Sequence, residues 1–475
     1  MRIATQFFFF PSLLLSIGLT STAVFAAQKL PATVVDALSR SAIPQQAVGI
    51  YVQPVSGPVP MLKLNADAGF NPASTMKLVT SNAALDLLGP AFSWKTQIFA
   101  NGTQDGDVLR GDLIIKGSGD PKLVTEKFWQ LLRQVRAAGI REIRGNLILD
   151  RSLFAALPHD AAQFDDAPLK PYNAGPDALL LNYKALALRF RPDPMRLVAD
   201  VQTDPPLAGF PIATPVLSNG ACGDWQGRLN LQMDARGLRF DGAYPASCGE
   251  KTWYLQPYTI SNADYFGLVF NELWSEVGGV FNGSVMEGVV PTDARLVGEW
   301  QSPSLPEVIR DINKYSNNVM ARQLLLTIAA ETGNVPATPA GGAALIKGWL
   351  DHKGIDTAKL VIENGSGLSR VEQVSVEMMG RMLVAAYQSP VMPELMSSLP
   401  VVGLDGTMRK RLVMDTIAGH AHIKTGSLDN VRAVAGYVLA ASGRRYAVVC
   451  IINDMHAVSG QAAQDALLQW VYEKG

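Results

Sequence analysis

Cysteine, net charge and long apolar runs are all scarce in this 475-residue sequence. It has three cysteines, too few for a disulfide-built fold, and no Cys/His spacing of a zinc site. Lys and Arg number 41 against 42 Asp and Glu, and the net charge of −1 gives no support for binding to nucleic acid or to a membrane surface. After the N-terminus, no stretch has the ~20 apolar residues of a membrane span. We therefore expect no metal, no cofactor, no nucleic-acid partner and no integral span in the mature chain.

The N-terminus carries the one long apolar run. A positive start at Arg2 precedes an apolar stretch over 7–19, and Val24-Phe25-Ala26 fits a cleavage site for a signal peptidase. Residues 1–26 are therefore predicted to be a secretory signal peptide. A membrane anchor is the alternative, which Pro11 and the cleavage pattern disfavour.

Secretion exposes the cysteines to oxidising conditions. Cys222 and Cys248 lie in a region rich in glycine, proline and asparagine, whereas Cys450 lies in an apolar run. We predict a disulfide between the first two and a buried thiol at Cys450, with three free thiols as the alternative.

Ser74 and Lys77 form the only S-x-x-K of the chain. Apolar residues with helical spacing predict a helix to about Leu88 that has Ser74 in its first turn. Residues three apart share a helix face, so the lysine amine can reach the serine hydroxyl. A neutral amine there would activate the serine as a nucleophile, although Lys77 needs burial or nearby cations to lose its proton.

Two later motifs complete a set. Ser316-Asn317-Asn318 is the only S-x-N, and Lys424-Thr425-Gly426 is the only K-T-G. The ordered trio resembles the penicillin-binding proteins and serine β-lactamases. Singly, Ser316 and its neighbours could cap a helix, and Lys424 could be an ordinary strand residue; the ordered set favours a catalytic site.

The organisation of the chain narrows the resemblance. Strand and helix patterns at both ends enclose a middle with its own α+β pattern, and after about Ala185 helical signals vanish in favour of short strands. A large insertion between the first two motifs is similar to the low-molecular-mass class C penicillin-binding proteins, which are D-alanyl-D-alanine carboxypeptidases and endopeptidases of the peptidase S13 type. The motif surroundings, including Glu363-Asn364-Gly365-Ser366-Gly367-Leu368-Ser369-Arg370, are similar as well.

The resemblance implies an α+β fold: a transpeptidase-like domain with an antiparallel sheet flanked by helices, an inserted α+β domain and a nested small β domain. We predict a discontinuous catalytic domain of 27–91 and 291–475, an inserted domain of 92–184 and 258–290, and a nested domain of 185–257. It also implies a periplasmic protein, free or loosely associated with the membrane, whose partners are peptidoglycan stem peptides and β-lactams. The oligomeric state stays open.

The resemblance also implies residue roles. Ser74 would attack the carbonyl between two D-alanines, Lys77 would take its proton, and Ser316 would pass a proton to the leaving amine. Asn318 would hold the substrate amide, and Lys424 and Thr425 would hold its carboxylate. The backbone N–H groups of Ser74 and Ser427 would bind the oxyanion, with Gly426 allowing the close approach of the strand.

Three further charges are candidate pocket residues. Asp150 could bind a free amine of the stem peptide, and Arg370 and Asp429 lie beside two of the motifs. Ordinary surface charges are the alternative for all three. His420 and His422 alternate with Lys424 on a predicted strand, so a metal or a Ser-His pair is a competing hypothesis.

Two functions of different class remain. A serine peptidase that cleaves peptidoglycan is favoured by the complete motif set. A wall-binding or β-lactam-sensing protein could keep the fold without turnover, and a β-lactamase fits the insertion poorly.

Overall fold

Runs of helices and runs of strands follow one another in the computed structural model, which describes residues 29–234, 236–333 and 335–475. The predicted signal peptide lies outside the described residues. Within these ranges the α-helices are α1 Ala32–Arg40, α2 Met76–Leu88, α3 Thr125–Ala137, α4 Trp225–Leu229, α5 Asn262–Glu276, α6 Leu305–Lys314, α7 Asn318–Thr332, α8 Pro339–His352, α9 Val376–Tyr387, α10 Met392–Ser398 and α11 Gln461–Lys474. None of them is long and apolar enough to cross a bilayer.

The strands are mostly short. They are β1 Val48–Pro54, β2 Leu62–Leu64, β3 Gly69–Phe70, β4 Lys95–Asp105, β5 Val108–Lys116, β6 Glu142–Ile143, β7 Leu147–Asp150, β8 Leu186–Asp193, β9 Val198–Asp204, β10 Leu217–Ser218, β11 Leu231–Asp234, β12 Gly237–Phe240, β13 Tyr244–Pro245, β14 Lys251–Leu255, β15 Val280–Phe281, β16 Val285–Glu287, β17 Arg295–Gln301, β18 Val374–Ser375, β19 Ala421–Leu428, β20 Val431–Leu439 and β21 Arg445–Asn453.

A five-stranded antiparallel sheet takes its strands from both ends of the chain, in the order β19-β20-β21-β1-β2. Alternate residues of a strand point to opposite faces. Val448 and Cys450 pack with α1 and α11 on one face, whereas Val449 and Ile451 pack with α2, α6, α7 and α9 on the other. The sheet is therefore the middle layer of three, and β19, which carries the K-T-G motif, is its edge strand.

The middle of the chain forms a second sheet of seven strands, built on β4 and β5. Its edge strand β17 pairs with β4, with Arg295 opposite Ala100 and Gln301 opposite Lys95. The predicted division places 291–301 in the catalytic domain. The backbone pairing instead assigns β17 to the insertion, so the chain returns to the catalytic half after Gln301.

The small β region contains β8–β14 and a disulfide between Cys222 and Cys248, while Cys450 is a buried free cysteine. The expectation that helical structure is absent here is wrong, because Asp224 caps the short helix α4 by accepting a bond from Gly227 N. Apolar residues of this region, such as Phe190 and Tyr244, belong to the same hydrophobic cluster as Phe128 and Phe266 of the insertion. The region therefore shares a core with the insertion, and its status as a separate domain stays a prediction.

Candidate active site

The S-x-x-K motif lies where a short turn enters a buried helix. Ser74 is in the 3₁₀ turn Ala73–Thr75, directly before α2, and the first ten residues of α2 are all buried. A helix start leaves backbone N–H groups without partners in the helix, and the helix dipole is positive there. The serine hydroxyl therefore lies at a place that favours negative charge on a bound group.

Lys77 connects two motifs. Its Nζ lies 2.9 Å from Ser74 Oγ and 2.6 Å from Asn318 Oδ1, and it also donates to Ser366 O. The side chain has no exposed surface and, among the described residues, no carboxylate forms an ion pair with it. Burial lowers the pKa of Lys77 well below its ordinary value, and the charge of Lys424 lowers this pKa further.

These contacts suit a neutral amine. A neutral amine has two N–H donors and one lone pair. Asn318 Oδ1 and Ser366 O can accept the two donors, and the lone pair then faces the hydroxyl of Ser74. The arrangement can accept a proton from that hydroxyl.

The S-x-N motif lies between α6 and α7. Asn317 caps α7 through a bond from Met320 N, which places Asn318 in the first turn of the helix. Ser316 has a φ of 58°, a left-handed backbone that ordinary residues rarely adopt. This backbone places Ser316 Oγ 2.9 Å from Lys424 Nζ. The capping role belongs to Asn317, and the side chains on either side of it face the two lysines.

The K-T-G motif brings the edge strand β19 against the serine. Lys424 is completely buried, and burial lowers its pKa to about 7. Thr425 Oγ1 lies 2.7 Å from Thr407 Oγ1. A Cβ at Gly426 would lie 2.9 Å from Ser74 N, closer than Cβ contacts normally come. Only glycine therefore allows β19 to pass this close to the serine, and Ser427 follows at an exposed position.

Glu372 is a buried residue of the site that the motifs did not indicate. Its Oε1 accepts hydrogen bonds from Glu363 N, Asn364 N and Gly365 N at 3.1, 2.9 and 2.8 Å. These bonds hold the loop that presents Ser366 O to Lys77. Gly367 has a φ of 83° and packs against the backbone of Ala73, so the loop also contacts the serine turn. The sequence gives no sign that Glu372 is buried, because the residues directly before it, Arg370 and Val371, do not form a pattern of a buried segment.

The three candidate pocket charges have different positions. Asp150 is 3% exposed and accepts bonds from Ser152 N, Ser152 Oγ and Val290 N, so its carboxylate is used within the insertion. The structure does not bring it to the motifs. Arg370 donates to Asp429 at 3.2 Å and stacks on Phe164 at 4.3 Å. Arg370 and Asp429 thus form an exposed pair that spans two loops near the site.

The two candidate histidines near Lys424 do not form the competing site, and only His422 lies on β19. His422 is half-buried, with Nδ1 3.1 Å from Met396 O, and burial lowers its pKa. His420 packs against Tyr472. Over the ranges 29–234, 236–333 and 335–475, no group of three or more His, Cys, Asp or Glu could hold a metal ion.

Comparisons with known proteins agree on one family. The family model described as "D-Ala-D-Ala carboxypeptidase 3 (S13) family" matches residues 30–474. A D-alanyl-D-alanine carboxypeptidase of Actinomadura sp. (strain R39) is 30% identical over 422 residues, which cover 83% of this chain and 76% of that protein. D-alanyl-D-alanine carboxypeptidase DacB of Haemophilus influenzae is 27% identical over 390 residues, 80% of each protein.

Solved structures share the fold. The crystal structure of penicillin binding protein 4 (dacB) from Haemophilus influenzae matches with a TM-score of 0.78 at 24% identity, and covers 93% of this chain and 99% of that chain. A complex of that protein with a β-lactam matches with a TM-score of 0.74 at 23% identity, and covers 93% and 100%.

Proposed function

Because the chain belongs to the D-Ala-D-Ala carboxypeptidase 3 (S13) family, and thus to the low-molecular-mass class C penicillin-binding proteins, we propose that it is a serine D-Ala-D-Ala carboxypeptidase and DD-endopeptidase. Its substrates are peptidoglycan stem peptides, and β-lactams acylate it. The observation that carries this proposal is the 2.9 Å contact between Lys77 Nζ and Ser74 Oγ at a fully buried lysine. We also propose that it is exported to the periplasm.

Acylation begins at the serine. Ser74 Oγ attacks the carbonyl carbon between the two D-alanines while its proton passes to Lys77 Nζ, so that the nucleophile is activated by an adjacent base. The C–N bond then breaks, and the leaving amine receives a proton through Ser316, whose hydroxyl lies next to Lys424. Water later hydrolyses the ester, which restores Ser74 and releases the shortened peptide.

The substrate is held from two sides. Lys424 and Thr425 bind its terminal carboxylate, and Asn318 binds the amide. The backbone N–H groups of Ser74 and Ser427 stabilise the oxyanion, which Gly426 permits by letting the edge strand approach the serine. In the endopeptidase reaction the leaving amine belongs to a cross-linked side chain instead of D-alanine. The acyl step is the same.

Labelled penicillin tests the proposal directly. We expect one covalent adduct per chain, located on Ser74 by peptide mass analysis, and release of D-alanine from a D-Ala-D-Ala pentapeptide. Ser74→Ala should abolish both. Ser81→Ala is a matched control because it removes the hydroxyl of a buried serine in the adjoining helix α2, and it should retain both.

The same measurements separate the alternatives. Normal labelling of Ser74 without turnover of the pentapeptide or of cross-linked muropeptides would favour a β-lactam sensor. Rapid hydrolysis of the penicillin itself would favour a β-lactamase. A label that persists in Ser74→Ala would contradict the proposed mechanism.

A further inference from the structure

A large cavity lies between the insertion and the catalytic half, beside the motif cluster. Its volume is about 1300 Å³, and its walls come from 151–164, 173–178, 256–262 and 287–289 of the insertion and from α7 and the loop 363–371 of the catalytic half. Pockets for small ligands usually measure ~300–1,000 Å³. This cavity can therefore hold an extended ligand.

Two buried cations line the cavity. Lys184 is 9% exposed and Arg322 is 8% exposed. Among the described residues neither forms an ion pair; the Lys184 amine has no hydrogen-bond acceptor, and the Arg322 guanidinium donates only to Ala174 O, at 2.9 Å. Burial lowers the pKa of Lys184 to about 8 and that of Arg322 to about 10. A buried charge without a hydrogen-bonded partner is costly, so a group that binds these cations directly would lower that cost.

Among the described residues, carboxylates act on these cations from a distance but form no ion pair with them. The charges of Asp177 and Asp264 raise the pKa of Lys184, and those of Glu372 and Glu363 raise the pKa of Arg322.

Four carboxylates line the cavity itself. Asp177 is the buried one, and its oxygens already accept bonds from Arg151, Asn262 and Leu179 N. The others, Asp160, Glu287 and Glu363, are at exposed positions.

The backbone around Lys184 has a strained conformation. Asn182, Tyr183 and Lys184 have φ values of 48°, 56° and 50°, three successive non-glycine residues in the left-handed region. Such strain is often found at ligand-binding segments. Gln256, 2% exposed, also lines the cavity, and its Oε1 has no donor among the described residues. An occupant should therefore offer both an anion and an N–H group.

We propose that the cavity binds a peptide segment that places a carboxylate against Lys184 and Arg322 and donates an N–H to Gln256. This inference rests on the proposed function, since the segment would be the part of a peptidoglycan peptide remote from the cleaved bond. The position supports it: Arg322 follows Asn318 by four residues on α7, one helical turn or about 6 Å. A substrate held at Asn318 can therefore extend directly into the cavity.

Binding to the intact chain with Ser74→Ala tests this without turnover. Two synthetic peptides end in D-Ala-D-Ala and differ only in their N-terminal extension, which carries a carboxylate in one and a carboxamide in the other. By calorimetry we expect the carboxylate peptide to bind about tenfold more tightly, as for a charge-assisted hydrogen bond. Adding Lys184→Met should remove that preference, and adding Lys184→Arg should keep it.

Two controls make the result specific. Adding Lys347→Met should leave the preference intact, because Lys347 is an exposed cation of α8 that does not line the cavity. With Ser74 present, Lys184→Met should be labelled by penicillin at the normal rate and should melt no lower than the unchanged protein. If Lys184 had a purely structural role, its replacement by methionine would lower the melting temperature.

The proposal is overturned if the Ser74→Ala protein shows no preference, a result that needs no change at Lys184. It is also overturned if the preference survives Lys184→Met or is lost with Lys347→Met alone. Competition by acetate as strong as that of the carboxylate peptide would reduce the cavity to a simple anion site. Failure of penicillin labelling with an intact peptide preference would contradict the proposed catalysis instead.

Discussion

The motif cluster, which consists of the S-x-x-K, S-x-N and K-T-G residues, and the cavity beside it both contain buried cations. The two regions differ in the hydrogen-bond partners that these cations have. Lys77 and Lys424 have protein acceptors close to their amines. Lys184 and Arg322 are nearly as buried and have one acceptor between them in the part of the chain that the structure describes. Helix α7 contributes to both regions, with Asn318 to the first and Arg322 to the second. Burial alone therefore does not identify the role of a cation; its partners do.

This difference in hydrogen-bond partners corresponds to two different roles for a buried cation. In the cluster the protein itself supplies the partners, so the low pKa of each lysine is available before a ligand arrives, as a catalytic base requires. In the cavity the cations have charged neighbours but, among the described residues, only one hydrogen-bonded partner, and the proposed ligand would supply the others. Glu372 links the regions, because its charge acts on both Lys77 and Arg322.

The largest expected effect is a difference in acylation rate between two variants, each of which lacks one cation of one region. Lys77→Met should slow penicillin acylation of Ser74 by roughly 1000-fold, within the range of ~10²–10⁴ for loss of a positioned base. Lys184→Met should leave the acylation rate unchanged. Time courses of adduct formation by intact-mass analysis measure both. Equal losses in the two variants would show that the comparison is wrong, and circular dichroism would verify that each variant is folded.

The pH dependence of kcat/KM for a D-Ala-D-Ala peptide should come next in size. Lys77 must be neutral to act as a base, so the rate falls on the acid side as Lys77 gains a proton. Lys424 must be charged to hold the substrate carboxylate, and its pKa of about 7 makes the rate fall above that pH, by up to about tenfold per pH unit. In Lys424→Arg the guanidinium stays charged, and the basic limb should disappear. A basic limb that remains in this variant would assign it to another group.

Lys424 should also affect stability in a defined direction. An unfolded lysine releases its proton near ~10.4, whereas the folded Lys424 releases it at about 7. Between these values the unfolded state binds more protons, so the free energy of unfolding from this group rises with pH. Denaturant titrations from pH 7 to pH 10 measure the rise, and Lys424→Met should reduce it. A steeper rise in the variant would contradict the assigned shift.

Local patterns predicted the cluster well. The helix that was predicted to run to about Leu88 ends at that residue, but Ser74 lies in the 3₁₀ turn directly before α2 instead of in its first turn. Each motif is short and its geometry is set by a helix start or a strand, so adjacent residues carry the information. Helix α8 was missed although Thr338 and Pro339 are a recognisable helix start.

Long-range packing was the part that the sequence did not reveal. Arg322 and Lys184 are ordinary charged residues until the insertion folds back over α7, and Glu372 becomes a buried acceptor only through the loop 363–365. Asp150 shows the reverse error: an acidic group that could bind a free amine suggested a pocket residue, but Ser152 and Val290 bind its carboxylate inside the insertion. Burial across distant segments decides these roles.

The smallest expected effect is a shift in the pH profile when the charge of Glu372, which acts on both regions, is removed. Glu372→Gln keeps an oxygen that can accept the three backbone bonds and removes the negative charge. Because that charge raises the pKa of Lys77, the acid limb of the kcat/KM profile should move to lower pH, by about one unit or less. Glu377→Gln is the matched control, since Glu377 pairs with Lys63 and Arg381 instead, and its profile should not move. A shift to higher pH would show that Glu372 does not support the charge of Lys77, and a uniform loss of rate at every pH would show that its role is to hold the loop.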